Sequence, residues 1–176
     1  MHPDKPLLLI DVDGPLNPYA AKPTRRPAGY TTHRMRPTGW TDGKPLRVWL
    51  NPDHGPGLLA LADRYELVWA TTWMGEANDW IAPRLGLPEL PFIRWPQLHG
   101  RAPRGTFWKT RYVVEYAAGR PFAWIDDDIT DLDREYVGQL HPGRALLRRV
   151  DERIGLTDED FAALAEWAAR PSGCGS

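Results

Sequence analysis

The stretch LLLIDVDGPLN, Leu7 to Asn17, constrains this chain most, because an unbroken apolar run stops there at two carboxylates. Leu7 to Ile10 suit a strand buried on both faces of a parallel sheet, and Asp11 and Asp13 follow at once. Open α/β sheets bind their ligands at the carboxyl ends of the strands, so two acids in that position are well placed for chemistry. Gly14 and Pro15 then turn the chain away. Asp11 and Asp13 can share a magnesium ion, which takes hard oxygen ligands at about 2.0–2.1 Å and keeps several waters. Asp and Gly are also common at such junctions for turn reasons alone, so the pair needs partners elsewhere in the chain.

The pattern recurs. In ELVWATTW, Leu67 to Ala70 form a second buried strand, and Thr71 and Thr72 arrive at its end. A hydroxyl there, or a backbone amide of the turn beyond, can donate to a phosphate oxygen, although threonine also favours strands for its shape. In PFAWIDDD, Phe122 to Ile125 form a third strand ending in Asp126, Asp127 and Asp128. Adjacent acids repel one another and destabilise a fold unless a cation or basic groups compensate them. Before this strand, Thr106 offers a helix N-cap and Phe107 to Ala118 reads as a helix with Val113, Val114 and Tyr116 inward. Lys109 and Arg111 then fall in its first turn, against the macrodipole by about 0.3–1 kcal/mol, which points to an anionic partner.

The remaining segments supply the frame. Pro18 to Gly29 is a proline-bearing loop, and Tyr30–Arg36 with Leu46–Leu50 favour extended structure around a Thr41-Asp42-Gly43 turn. These residues predict a β-hairpin or flap over about 18–50. A helix is expected over Gly55–Arg64, with Asn51 and Asp53 as candidate caps, and a short helix near Trp73, Asn78 and Trp80. Pro83 to Arg104 reads as irregular apart from a strand at Pro91–Trp95. Asp131 and Asp133 read as caps of a helix to Leu140, and Ala145–Val150 as a strand. Thr157 with Asp160 resembles a capping box opening a helix through Trp167, whose Phe161, Leu164, Ala165 and Ala168 pack on the sheet.

The chain has 176 residues, enough for one domain over 1–170 without disulfides, with a disordered tail expected at 171–176. Its single cysteine, Cys174, excludes an intrachain disulfide and fits a reducing compartment. No apolar run approaches the roughly 18 residues of a membrane span, so a cytoplasmic protein with no membrane role and no evident obligate protein partner is expected. Net charge is −1, but Lys22 to Arg47 holds seven basic residues against the single acid Asp42, and Arg94 to Arg111 holds no acid. Near the acidic strand ends these segments would attract a polyanion, with Arg34 and Arg36 as candidate phosphate contacts.

Taken in order, DVDG at Asp11 to Gly14, a strand ending in Thr71, Lys109 at a helix start and the Asp126-Asp127 pair resemble the haloacid dehalogenase-like (HAD) superfamily. The resemblance implies a three-layer α/β fold of Rossmann-like type with a central parallel sheet. It implies Asp11 as nucleophile, Asp13 as general acid/base, Thr71 as phosphate-binding hydroxyl and Lys109 as stabilising cation. Asp126 and Asp127 would join Asp11 and Asp13 around Mg2+, with Gly14 and Thr72 also at the phosphate. The chemistry has its own rationale: a carboxylate attacks phosphorus only when the phosphate charge is neutralised, and a second acid can protonate the leaving oxygen and then activate water. The gaps between motifs leave no room for a full cap domain. An open site with exposed aromatics such as Trp40, Trp73 and Trp95 suits a nucleotide or an RNA or DNA end as phosphorylated substrate. WATTW and WIDDD are also similar to the HAD domain of Swiss-army-knife RNA repair proteins. The competing reading is a non-catalytic phosphate- or metal-sensing module, since receiver-like domains also carry acids at strand ends but need no second Asp two residues on.

Overall fold

The computed structural model describes residues 5–170, so the expected tail and Cys174 lie outside the described residues. The elements in chain order are β1 (Leu7–Ile10), β2 (Thr31–Met35), β3 (Leu46–Leu50), α1 (His54–Leu61), β4 (Glu66–Trp69), α2 (Glu76–Trp80) and α3 (Ala82–Leu85). They continue as α4 (Thr110–Ala117), β5 (Phe122–Asp126), α5 (Asp131–Leu140), β6 (Ala145–Arg149) and α6 (Asp158–Ala169). Four strands form a parallel sheet in the order β4-β1-β5-β6, and β2 pairs antiparallel with β3 in a separate small sheet.

Alternation along the strands divides the core. Leu8 and Ile10 of β1 pack with Met35, Val48 and Leu50 of the hairpin, Leu58 of α1 and Leu164 of α6. Leu7 and Leu9 face the other way, onto Tyr112, Val113 and Ala117 of α4 and Val137 of α5. A strand buried on both faces must be apolar at every position, which is why β1 and β5 read as continuous runs. The connection leaving β1 runs over one face and the one leaving β5 runs over the other. The carboxyl ends of these neighbours therefore border a crevice, the usual ligand position in such sheets.

Some local expectations are corrected. Helix α4 begins at Thr110, not Phe107, and Lys109 occupies its N-cap position. Thr106 is no cap: its hydroxyl donates to the Pro103 carbonyl. The inward face of α4 is Tyr112, Val113 and Ala117, while Tyr116 is exposed. Asp53 makes no side-chain cap; Asn51 Oδ1 instead accepts the Asp53 amide at 3.0 Å. The expected strand at Pro91–Trp95 shrinks to a single bridge between Trp69 and Phe92. Ala165 of α6 faces solvent. Trp73 and Trp95 are buried, so neither is free to stack on a base. Their indole N–H groups donate to Asp13 Oδ2 at 2.9 Å and to the Thr71 carbonyl at 2.8 Å. Among the described residues no helix is long and apolar enough to cross a membrane.

Candidate functional site

A cavity of about 480 Å³ opens at the carboxyl ends of β1 and β5. Its floor is charged and buried. Asp11 directly follows β1, with its amide bound to the Ile125 carbonyl of β5 at 3.1 Å, so sheet pairing itself positions the side chain. Asp126 is the last residue of β5 and is fully buried. The Lys109 ammonium, 2% exposed, donates to Asp11 Oδ2 at 2.7 Å and to Asp126 Oδ2 at 2.9 Å. Breaking one partner of a buried ion pair costs about 3–5 kcal/mol, against about 0.3–1 kcal/mol for a cation at a helix start, so the carboxylates decide where this lysine sits.

The remaining acids have separate surroundings. Asp127 receives the Tyr19 hydroxyl on Oδ2 at 3.0 Å. Asp13 receives Asn17 Nδ2 at 2.8 Å and Trp73 Nε1 at 2.9 Å, one on each oxygen. Gly14 makes this packing possible: its φ is +92°, and a Cβ there would lie 2.5 Å from Asp127 Cγ. Its amide is already bound to the Asn17 carbonyl at 2.9 Å, so Gly14 gives the site close approach rather than a phosphate donor.

The floor holds more negative charge than its single ammonium balances. Burial, and then the Asp11 charge, raise the pKa of Asp13 against the donors Asn17 and Trp73. Burial and Asp11 also raise Asp127, to about 6. Burial pushes Asp126 well up, with Lys109 opposing and Asp11 adding to the rise. Burial alone would lower Lys109, but Asp11 and Asp126 together outweigh it and raise its pKa. We take Lys109 as charged, since one ammonium meets two carboxylates, and the residual repulsion falls on the acids.

Oxygens of Asp11, Asp126 and Asp127 lie within 4.8 Å of one another. Opposite ligands on an octahedral magnesium stand about 4.2 Å apart, twice its usual bond length, so three hard oxygens at this spacing fit the ion with small adjustments. The Asp13 carboxylate, expected as a metal ligand, lies outside that group; its oxygens accept from Asn17 and Trp73.

Of the two threonines, Thr72 lines the cavity and Thr71 does not. Thr71 is fully buried, and its hydroxyl oxygen accepts the Trp73 amide at 3.3 Å. Arg34 and Arg36 are likewise not at the cavity. Arg36 donates to the carbonyls of Asp42 and Gly43, and Arg34 is exposed on β2. The hairpin's contribution is Arg47, the register partner of Arg34, together with Leu46. Tyr19, Asn17, His99 and Trp108 also line the cavity without having been expected there. Only Arg47 left a signal in the sequence, through the pairing of the hairpin. Compared with family models, with curated proteins and with solved structures, the chain finds no match.

Proposed function

We propose that this protein is a magnesium-dependent phosphomonoesterase of HAD type that works through an aspartyl-phosphate intermediate, on a nucleotide or nucleic-acid end. The observation that carries the reading is the Lys109 ammonium held between Asp11 and Asp126, with Asp13 two residues from Asp11 yet kept apart on donors of its own. Asp11 Oδ would attack phosphorus in line with the ester oxygen; the bond to that oxygen breaks as the new P–O bond forms. Asp13, whose carboxyl burial holds above its ordinary pKa, gives a proton to the departing oxygen. Asp13 then takes a proton from water as that water cleaves the acyl phosphate, which returns Asp11 and releases inorganic phosphate. Lys109 neutralises charge on the phosphoryl oxygens throughout, and Thr72 offers a hydroxyl at the rim. Magnesium held by Asp11, Asp126 and Asp127 would supply the further positive charge that brings an anionic ester to an anionic nucleophile.

The segment between β1 and β4 holds a hairpin and one helix, and among the described residues no separate cap domain stands over the cavity, which suits a substrate larger than a free sugar phosphate. The test is hydrolysis of p-nitrophenyl phosphate by the wild-type chain and by Asp11→Asn, with and without magnesium. Turnover that needs magnesium and vanishes in Asp11→Asn is expected. Absence of turnover on every phosphate ester tried, with magnesium still bound, would instead make the protein a phosphate or metal sensor.

A further inference from the structure

A second cleft, of about 590 Å³, lies beside the cavity and is lined by Lys22, Arg25, Arg26 and Arg153 with no acid among its lining residues. A turn closed by the Arg25 amide on the Lys22 carbonyl, at 2.8 Å, brings the first two cations together. Arg153 is neutralised by Asp151, which its Nε and Nη2 both meet at 3.0 Å. Lys22, Arg25, Arg26 and the cavity's Arg47 form no ion pair among the described residues. Their charge is therefore not used to balance the acidic floor.

The cleft and the cavity are linked through the hairpin and the loop after β1, although no residue lines both. Arg47 lies over the Trp49 ring at 3.8 Å from its centroid, lines the cavity, and donates to the Pro23 carbonyl in the loop that forms the cleft at 3.2 Å. Trp49 Nε1 and Arg26 Nη1 both donate to Thr32 Oγ1, at 3.0 and 3.3 Å, which ties the cleft's third cation to the same stack. Tyr19 at the cavity rim is joined to the cleft through Ala20 and Ala21. Three cations on one loop, none of them in an ion pair among the described residues, attract an anion, and guanidinium groups bind phosphate in a fork.

We propose that the Lys22, Arg25 and Arg26 cleft is a second phosphate-binding subsite, so that the preferred substrate carries at least one phosphate beyond the one hydrolysed. The inference rests on reading the neighbouring cavity as the phosphoryl site. The extra phosphate is either the next phosphodiester of a polynucleotide or the second phosphoryl group of a small bisphosphate.

The experiment measures binding to the 176-residue Asp11→Asn chain in magnesium, by calorimetry, for a nucleoside monophosphate, a nucleoside 3′,5′-bisphosphate and a short 5′-phosphorylated oligonucleotide. A second phosphate should raise affinity about ten-fold or more, as a charge-assisted contact does. In Lys22→Ala/Arg25→Ala/Arg26→Ala the ratio of multiply to singly phosphorylated affinities should collapse towards one. A gain for the oligonucleotide alone identifies a polynucleotide, and its salt dependence should then flatten by about 2 in log–log slope for three lost contacts. A gain for both probes identifies any substrate with a second phosphate. Equal affinities for all three probes in the parent, or a ratio that the triple variant leaves unchanged, would overturn the proposal. Melting curves check that the variants fold, and Arg25→Glu alone provides the same comparison should the triple variant fail to. Because no turnover is measured, this result is separate from whether p-nitrophenyl phosphate is hydrolysed.

Discussion

The floor and the wall of the cavity are built by different means. Asp11, Asp126 and Asp127 come from the ends of paired central strands, and Lys109 reaches the first two from the start of α4; all four are buried. The wall comes from loops and the hairpin: Tyr19 is half exposed, and Trp40 is held by its indole N–H on the Lys44 carbonyl of its own loop. Moving a floor residue means disturbing sheet pairing or a buried ion pair, whereas moving a wall residue disturbs local contacts. Under the proposed function, the comparison teaches that the chemistry would be fixed by the fold while selectivity would rest on parts that can change separately.

The sharpest challenge to this division is Asp11→Asn. Loss of the proposed nucleophile should lower kcat on p-nitrophenyl phosphate by about 10⁴-fold or more, with the fold intact by circular dichroism. Lys109→Met should act on stability as well, because it leaves Asp11 and Asp126 buried without their cation. Urea unfolding should show a loss of about 3–5 kcal/mol, partly restored by added magnesium. Gly14→Ala forces a side chain at φ +92° into Asp127; about 1–3 kcal/mol of strain is expected, along with weaker magnesium binding by calorimetry. Unaltered metal affinity in that variant would mean the floor is less tightly fixed than its contacts indicate. On the wall, Trp40→Ala should raise KM for a phosphorylated nucleotide about 5- to 100-fold and change kcat less, as for loss of one stacking contact.

The smallest effect lies outside both regions and guards against misreading acid sensitivity as a property of the floor. His54, in α1, is buried, and one ring nitrogen meets the Leu156 carbonyl at 3.1 Å while the other has no partner. Burial holds its pKa below the ordinary 6.5, partly opposed by that carbonyl. The unfolded chain then binds the proton more readily than the folded one. This contribution is complete above pH 6.5 and is lost as pH falls from there through the lower folded value. Denaturant midpoints from pH 8 to 5 should fall more gently in His54→Gln than in the parent.

What was legible in the sequence follows the same boundary. Apolar runs ending in acids announced β1 and β5, because strands buried on both faces leave no room for polar residues before the sheet ends. Lys109 stood out because it opposed the helix dipole, and the structure explains it by two carboxylates that lie far away in sequence. The wall was not legible in this way. Thr71 and Thr72 are chemically alike, and only the turn after β4, in which the Thr71 oxygen caps the Trp73 amide, decides which one faces the cavity. Trp73 and Trp95 looked available for stacking, yet both rings are buried and each indole N–H donates to an acceptor within the fold. The start of α4 was misplaced because a contact from α5, invisible to local pattern, holds residues 107–110.

That contact is Asp133. Fully buried, it caps α5 through the Thr130 amide and hydroxyl on Oδ2, and on Oδ1 it also accepts the Phe107 amide at 2.7 Å and the Thr110 hydroxyl at 2.6 Å. One carboxylate thus ties the beginnings of two helices on either side of Lys109. Neither helix can fray at that end without leaving an acid stranded in a dry interior, so this junction should open only when the whole molecule does. In deuterated solvent the Phe107 and Thr130 amide protons should persist among the slowest to be replaced, even though both residues sit in loops.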